Sequence, residues 1–319
     1  MKKRALIIGG LGQDGVEMSL YLEKKNYKIF SLIKKKNLNF DKFKSKHIKF
    51  IICKIQNTKK IISIIKKNKP SEIYNFSGIT TIKESEENIL LNEEVNNKSF
   101  LALLIALNKE KYKGKIFQSL SAELFGDYNS KVVNKKSSFY PINPYAIAKL
   151  SSYYYCRYFR NKLKLKIYCG FLFNHDSKYN KGSHLIYYIA NSFKKIINNK
   201  INTFEVQNIA AKRDWNLATD IIKKIWTETQ KDNPSDFILR SGVFNSVEDV
   251  ILGVAKFFKL SLIKKSINRE VVFINSKTNK IIIRSKEKKE KLFTDKIKLN
   301  DFKLIKKNKI LRIIKNILS

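Results

Sequence analysis

Ala5-Leu6-Ile7-Ile8-Gly9-Gly10-Leu11-Gly12-Gln13-Asp14-Gly15 is the stretch from which the rest of the chain can be read. A short apolar run breaks into a glycine-rich turn and then into an amphipathic stretch that continues to Lys25. Such a pattern is a buried strand, a tight turn and a helix. Gly9, Gly12 and Gly15 stand three apart at the junction. The backbone there has to turn sharply, approach a pyrophosphate and open a helix whose N-terminal N–H groups face the phosphate oxygens. Gly9, Gly12, Gln13, Asp14 and Gly15 are therefore expected to hold a dinucleotide.

Working outward, strand-like runs recur at Tyr27 to Ile33, Ile48 to Ile52, Glu72 to Phe76, Lys115 to Ser119 and Lys166 to Phe171, most of them separated by helical spacing. Alternation of this kind builds βαβ units, so the expected fold is α/β, a Rossmann-type doubly wound parallel sheet. Beyond Phe173 the pattern loosens, with helical stretches at Leu185 to Ile197, Asp220 to Thr229 and Ser246 to Phe258 and short runs around Phe204 and Phe237. This half reads as a smaller C-terminal cap, interwoven with the first because no Pro/Gly/Ser linker separates them. The Lys-rich tail from Phe273 onward does not divide into elements on sequence grounds.

Composition narrows the class. The chain has 319 residues, 43% of them hydrophobic, and a net charge of +38. That apolar content supports a sizeable core and argues against disorder. A strongly basic balance is the usual footprint of a nucleic-acid binder, but here only eight of the 65 basic residues are Arg and the lysines are spread through every segment. The diffuse pattern argues against a dedicated nucleic-acid role and favours an anionic small substrate. No run approaches the roughly 18 apolar residues of a spanning helix. Cys53, Cys156 and Cys169 form no C-x-x-C pair, so neither disulfides nor a metal site are expected, and a cytoplasmic setting is. His47 and His184 are read as surface or loop residues, Trp215 and Trp226 as packing residues.

Lys34, Lys35 and Lys36 follow the second strand, where an acidic residue would accept the ribose 2′-hydroxyl of NAD. Cations there suit a 2′-phosphate, so NADP is the expected cofactor, with Lys34 and Lys35 against it. Tyr145 and Lys149 lie four residues apart at the start of a helical stretch, on one face. The ammonium is expected to lower the phenol's pKa, so that Tyr145 can take a proton from a sugar hydroxyl while hydride leaves. Ser121, at the end of the preceding strand, can donate to the developing carbonyl oxygen. Glu123, two residues on, carries a carboxylate toward the same space. A site for redox alone does not need it, whereas proton abstraction beside a transient ketone does.

At these residues the chain resembles the extended short-chain dehydrogenase/reductase family, in which this glycine spacing is typical, and within it the GDP-mannose 4,6-dehydratases. The resemblance runs through Gly9 to Gly15, Glu72-Ile73-Tyr74-Asn75, Ser121 to Gly126, Tyr140-Pro141 to Lys149, Leu172 to Ser177, Ala211-Lys212-Arg213-Asp214-Trp215 with Ala218 and Asp220, and Ser241-Gly242 with Ser246-Val247. It implies an NADP-binding domain over 1–172 and about 212–242 and a nucleotide-sugar-binding cap over about 173–211 and 243–319. It also implies that Ser121, Glu123, Tyr145 and Lys149 are catalytic, that Phe76, Ser77, Gly78, Thr80, His175 and Lys181 line the cofactor, and that Asn174, Lys212, Arg213 and Arg284 meet a GDP-sugar. The implied activity is a lyase reaction, the 4,6-dehydration of GDP-mannose with NADP recycled inside the turnover, by a homodimer or homotetramer away from membranes.

Departures from the family pattern are Lys54 for an aspartate, Leu91 for a tyrosine, Ile79 for a glutamine, a loop Lys178 to Gly182 in which Lys181 alone replaces an arginine-bearing segment, and a missing C-terminal Gly-Trp segment. They leave open a dehydratase of another GDP-sugar such as a GDP-heptose, a 4-keto reductase or epimerase, and, outside the class, a catalytically silent nucleotide- or polyanion-binding relative.

Overall fold

A computed structural model describes residues 2–36, 40, 45–126, 138–180, 184–267, 270–285 and 310–318. The order begins β1 (Arg4–Ile8), α1 (Gln13–Lys24), β2 (Lys28–Ile33), β3 (Ile48–Ile52), α2 (Thr58–Asn68), β4 (Glu72–Asn75), α3 (Ile82–Glu87), α4 (Ile89–Glu93), α5 (Ser99–Lys109), β5 (Lys115–Ser121), α6 (Pro144–Asn161) and β6 (Lys166–Leu172). It continues through β7 (His175–Asp176), α7 (Leu185–Ile197), β8 (Phe204–Glu205), β9 (Lys212–Arg213), β10 (Asn216–Leu217), α8 (Ala218–Gln230) and β11 (Asp236–Leu239). It ends with β12 (Asn245–Ser246), α9 (Val247–Phe257), β13 (Leu262–Ile267), β14 (Glu270–Asn275), β15 (Ile281–Ser285) and α10 (Ile310–Leu318).

Seven strands in the order β11-β6-β5-β4-β1-β2-β3, all parallel, form the central sheet, which is the expected Rossmann-type architecture. Its strands are covered on both faces, and so β1, β2, β4 and β6 carry near-continuous apolar runs and not an alternation. The order reverses between β1 and β4, and in open parallel sheets that switch point opens a crevice at the carboxyl ends of the strands. The β4 strand stops one residue short of the sequence expectation because Phe76 turns out of the ladder, its N–H still held by the Ile8 carbonyl at 2.9 Å. The β5 strand runs two residues longer, which carries Ser121 to the sheet's carboxyl edge.

The described residues fall into two compact units, one within Met1–Phe173 and Ala218–Leu239, the other within Asn174–Leu217, 240–285 and 310–318. The second unit holds the short pairs β7–β10 and β9–β12, the four-stranded sheet β13-β14-β15-β8, and a core that includes Ile186, Phe193, Val250, Val254, Phe273, Ile283 and Ile314. Residues 212–217 and 240–242, placed with the first unit on sequence grounds, belong to this one. Buried Asp214 ties them together, accepting from Ser241 Oγ at 2.6 Å and Gly242 N at 2.7 Å. The tail that resisted division supplies β14, β15 and α10. In α10, Ile313, Ile314 and Ile317 are buried, an apolar stripe that abundant lysine hides in the sequence.

Candidate active site

In the first unit four chemically able side chains converge at the carboxyl end of the sheet. The turn after β5 is short: Ser121 Oγ accepts the Glu123 N–H at 3.2 Å, and Ala122–Phe125 form one turn of 3-10 helix that brings the Glu123 carboxylate back over the strand end. The helix α6 starts with Asn143 as N-cap, its side chain accepting from Ala146 N at 2.9 Å, and Pro144 in the first turn. This is a strong helix start, and it fixes Tyr145 and Lys149 on a buried face.

The phenol of Tyr145 is pushed up to about 12, first by burial and then by the charges of Glu123 and Asp14, while a hydrogen bond with Ser121 opposes the shift. Lys149 is 3% exposed, and burial lowers its ammonium to about 8. Its Nζ donates to the Ser119 carbonyl at 3.2 Å. The expected acidification of Tyr145 by Lys149 is thus not what this geometry gives. Burial raises the phenol instead, and the ammonium is turned to a backbone carbonyl.

The glycine loop lies across the switch point. Gly9 has φ +86°, and a side chain on it would meet Ser77 N at 2.8 Å. A Cβ on Gly15 would sit 2.3 Å from the Gly9 carbonyl oxygen. Only glycine permits the first conformation and the second approach. Gly12 caps α1 with no side-chain hydrogen bond, leaving the first turn with Gln13 and Asp14 to face whatever lies above it. From the β4 side, Asn75 accepts both the N–H and the hydroxyl of Ser77, at 3.1 and 2.6 Å, and donates to Gln118 at 2.7 Å. Phe76, Ser77 and Gly78 are half-buried there, and Thr80 is exposed.

Two observations fit a dinucleotide. Bare glycine backbone at a helix N-terminus is a phosphate cradle. Beside Gly78, Asn96 Oδ1 is buried with no partner among the described residues, and a Cβ on Gly78 would lie 2.4 Å from it and 3.4 Å from Lys149 Nζ. Lys34 and Lys35 are exposed just beyond β2, and Lys54 is exposed just beyond β3.

The remaining residues singled out from sequence belong to the second unit. His175 is half-buried in β7, paired in parallel with Asn216, and Asn174 is exposed, its carbonyl accepting from the backbone and side chain of Asn216 at 2.9 and 3.0 Å. Lys212 and Arg213 are exposed on β9. Arg284 is exposed on β15 and engaged by Glu270 at 3.4 Å. Lys181 lies outside the described residues. Of the side residues, Trp215 is buried in the core, Trp226 donates to Tyr27 Oη at 3.2 Å, and His184 pairs with Asp176 at 2.9 Å. Sequence reasoning missed Asn143 and Asn96. An Asn-Pro helix start could have flagged the first; nothing in the sequence marks the second, which sits on a π-helical segment, Glu94–Lys98.

A family profile described as GDP-mannose 4,6 dehydratase matches residues 6–308. A GDP-mannose 4,6 dehydratase of Drosophila melanogaster is 27% identical over 297 residues, covering 88% of this chain and 75% of that protein. Among solved structures, dTDP-glucose 4,6-dehydratase from Bacillus anthracis in complex with NAD superposes with a TM-score of 0.77 at 17% identity, covering 99% of this chain and 95% of the other. RMD from Pseudomonas aeruginosa complexed with NADPH does so with a TM-score of 0.75 at 14% identity, covering 99% and 98%. At such identities these two likenesses concern the fold.

Proposed function

The chain is an enzyme of the GDP-mannose 4,6-dehydratase family, within the extended short-chain dehydrogenases/reductases, and from that membership and the site's geometry we propose that it dehydrates GDP-mannose to GDP-4-keto-6-deoxymannose with NADP as recycled cofactor. The observation that carries the reading is Glu123 beside Tyr145 and Ser121 at the edge of the glycine cradle. A reductase or epimerase has no step that calls for this carboxylate. A silent relative has no need of the whole set.

Bound nicotinamide dinucleotide would supply an acceptor for the C4 hydride and later a donor of it to C6. Gly9, Gly12, Gln13, Asp14 and Gly15 would hold its phosphates, Phe76, Ser77, Gly78, Thr80, His175 and Lys181 its remaining length, and Lys34 and Lys35 a 2′-phosphate. Tyr145 Oη takes the proton of the C4 hydroxyl. Lys149, one helical turn on, is the cation available to the phenolate this requires, and Ser121 Oγ donates to the oxygen that becomes the ketone. The ketone makes the C5 proton acidic, and Glu123 removes it. The resulting carboxylic acid then protonates the C6 hydroxyl, which departs as water, and Tyr145 gives the proton it took from the C4 hydroxyl to C5, closing the proton balance. Asn174, Lys212, Arg213 and Arg284 are the residues proposed for the GDP moiety, cations matching its diphosphate. Self-association as a homodimer or homotetramer is part of the same proposal.

Mass spectrometry of the protein incubated with GDP-mannose and either NADP+ or NAD+ tests it. The expected result is a nucleotide sugar lighter by one water, no net reduced cofactor, and faster turnover with NADP+. Glu123→Gln should lower product formation by about 1,000-fold with cofactor binding kept. No such product from the parent protein, or full turnover by Glu123→Gln, overturns the reading.

A further inference from the structure

Asn143 faces two ways. Its Oδ1 accepts the Ala146 N–H at 2.9 Å, capping α6, and its Nδ2 lies 3.5 Å from Glu123 Oε2. The side chain is 5% exposed. Its orientation is forced: a reversed amide would set NH2 against the Ala146 N–H and its oxygen against a carboxylate oxygen. Capping fixes the side chain of a residue whose backbone is extended, φ −143° and ψ 159°, so the amide's other end has a single direction, toward Glu123. A contact of this length is at the limit of hydrogen bonding, as catalytic contacts of unliganded sites often are. The titratable group facing Glu123 from α6 is Tyr145, whose phenol feels the Glu123 charge.

We infer that Asn143 is a positioning residue. It holds one oxygen of Glu123 so that the other is left for the substrate proton, and it couples that carboxylate to the helix start carrying Tyr145. The inference rests on the reading of Glu123 as the base that eliminates water. It separates the helix cap from the contact, because two substitutions keep the first and lose the second. Serine and aspartate cap as well as asparagine. Serine is too short to reach Glu123, and aspartate sets a like charge against it.

Asn143→Ser and Asn143→Asp, in the full chain, are compared with the parent by thermal melting, NADP+ binding, kcat and KM over pH, and absorbance of reduced nicotinamide during turnover. Melting and NADP+ binding are expected to stay unchanged, and kcat to fall about tenfold or more at similar KM. The acid limb of the kcat profile should move up by about one pH unit in Asn143→Asp alone. Reduced nicotinamide should accumulate in both variants, since oxidation at C4 then outruns elimination. Parent-like kcat and pH profile in both variants, or losses that only follow a lower melting temperature, overturn the inference. An inactive parent counts against the substrate reading alone. In that case carbon-13 NMR of the Glu123 carboxyl decides for Asn143: its titration should move up in Asn143→Asp relative to the parent, and an unmoved titration overturns the contact.

Discussion

The two units are held together by different means. In the first, seven parallel strands bury a continuous apolar sheet under helices on both faces, and the candidate catalytic side chains lie at its carboxyl edge. In the second, which has three small sheets, the segments of the two that are pairs of two-residue strands are tied by a carboxylate. Asp214 accepts from Asn216 Nδ2, Ser241 N, Ser241 Oγ and Gly242 N, and lies 3.3 Å from Arg240 Nε with both side chains fully buried. A large apolar sheet tolerates a costly site at its edge. Segments tied by one buried charge depend on that charge, even beside an apolar core.

The strongest test of this contrast is Asp214→Ala. It removes the carboxylate beside the buried Arg240 guanidinium and the acceptor of the Ser241 and Gly242 N–H groups, a loss of about 3–5 kcal/mol. The two tryptophans separate the units, since Trp215 is in the second and Trp226 in the first. Single-tryptophan variants made with Trp226→Phe and Trp215→Phe should show the urea midpoint reported by Trp215 falling well below that reported by Trp226. Equal falls would mean that the units unfold as one.

Lys149 sharpens the other side. Burial brings its ammonium from 10.5 down to about 8. The unfolded chain therefore binds more protons than the folded one between about pH 8 and 10.5, and stability rises with pH across that window. Below pH 8 the buried charge is a penalty, at most about 3 kcal/mol for this shift. Lys149→Met keeps the length and the burial without the charge. It should stabilise the protein by about 1–3 kcal/mol at pH 7, with the gain fading toward pH 10.5, and reduce kcat by about 100-fold or more. Urea denaturation over pH reads the first effect and steady-state kinetics the second. A destabilised Lys149→Met at pH 7 would mean that the Ser119 contact outweighs desolvation.

Much of the first unit was legible because its signals are local. The apolar run Ala5 to Ile8, the glycine spacing and the Tyr145-x-x-x-Lys149 step each imply their own geometry. What escaped depends on contacts between distant segments. Nothing near Asp214 announces that Ser241 and Gly242 will bind it 27 and 28 residues later, so the segments around it were assigned to the wrong unit. The sign of the Tyr145 shift escaped for a similar reason, since spacing shows that Lys149 is a turn away but not how deeply both are buried. The strands β13 to β15 pair with one another and, through β15, with distant β8, and lysines interrupt the period of β13.

One feature of the first unit was visible in composition once helices were placed. Lysine is everywhere in this chain, yet α6 carries none that is exposed, and its outer positions include Ile147, Tyr154, Tyr155 and Tyr158 beside one exposed cation, Arg157. The adjacent α4 exposes Ile89, Leu90 and Leu91, with Leu90 84% exposed, and α5 exposes Ile105. Isolated surface apolar residues need no explanation, but a group of them on neighbouring helices of a molecule of charge +38 fits the self-association proposed above. The occupant proposed for it is a second copy of the chain, because two such faces bring apolar side chains together. Leu90→Lys combined with Tyr158→Lys places cations at the centre of that contact. Sedimentation velocity at micromolar concentration should find the parent protein self-associated and the double variant monomeric, with turnover lowered only about two- to fivefold because Tyr145 and Lys149 lie on the opposite, buried face of α6. Unchanged association in the variant would place the contact elsewhere and leave this face without a role in assembly.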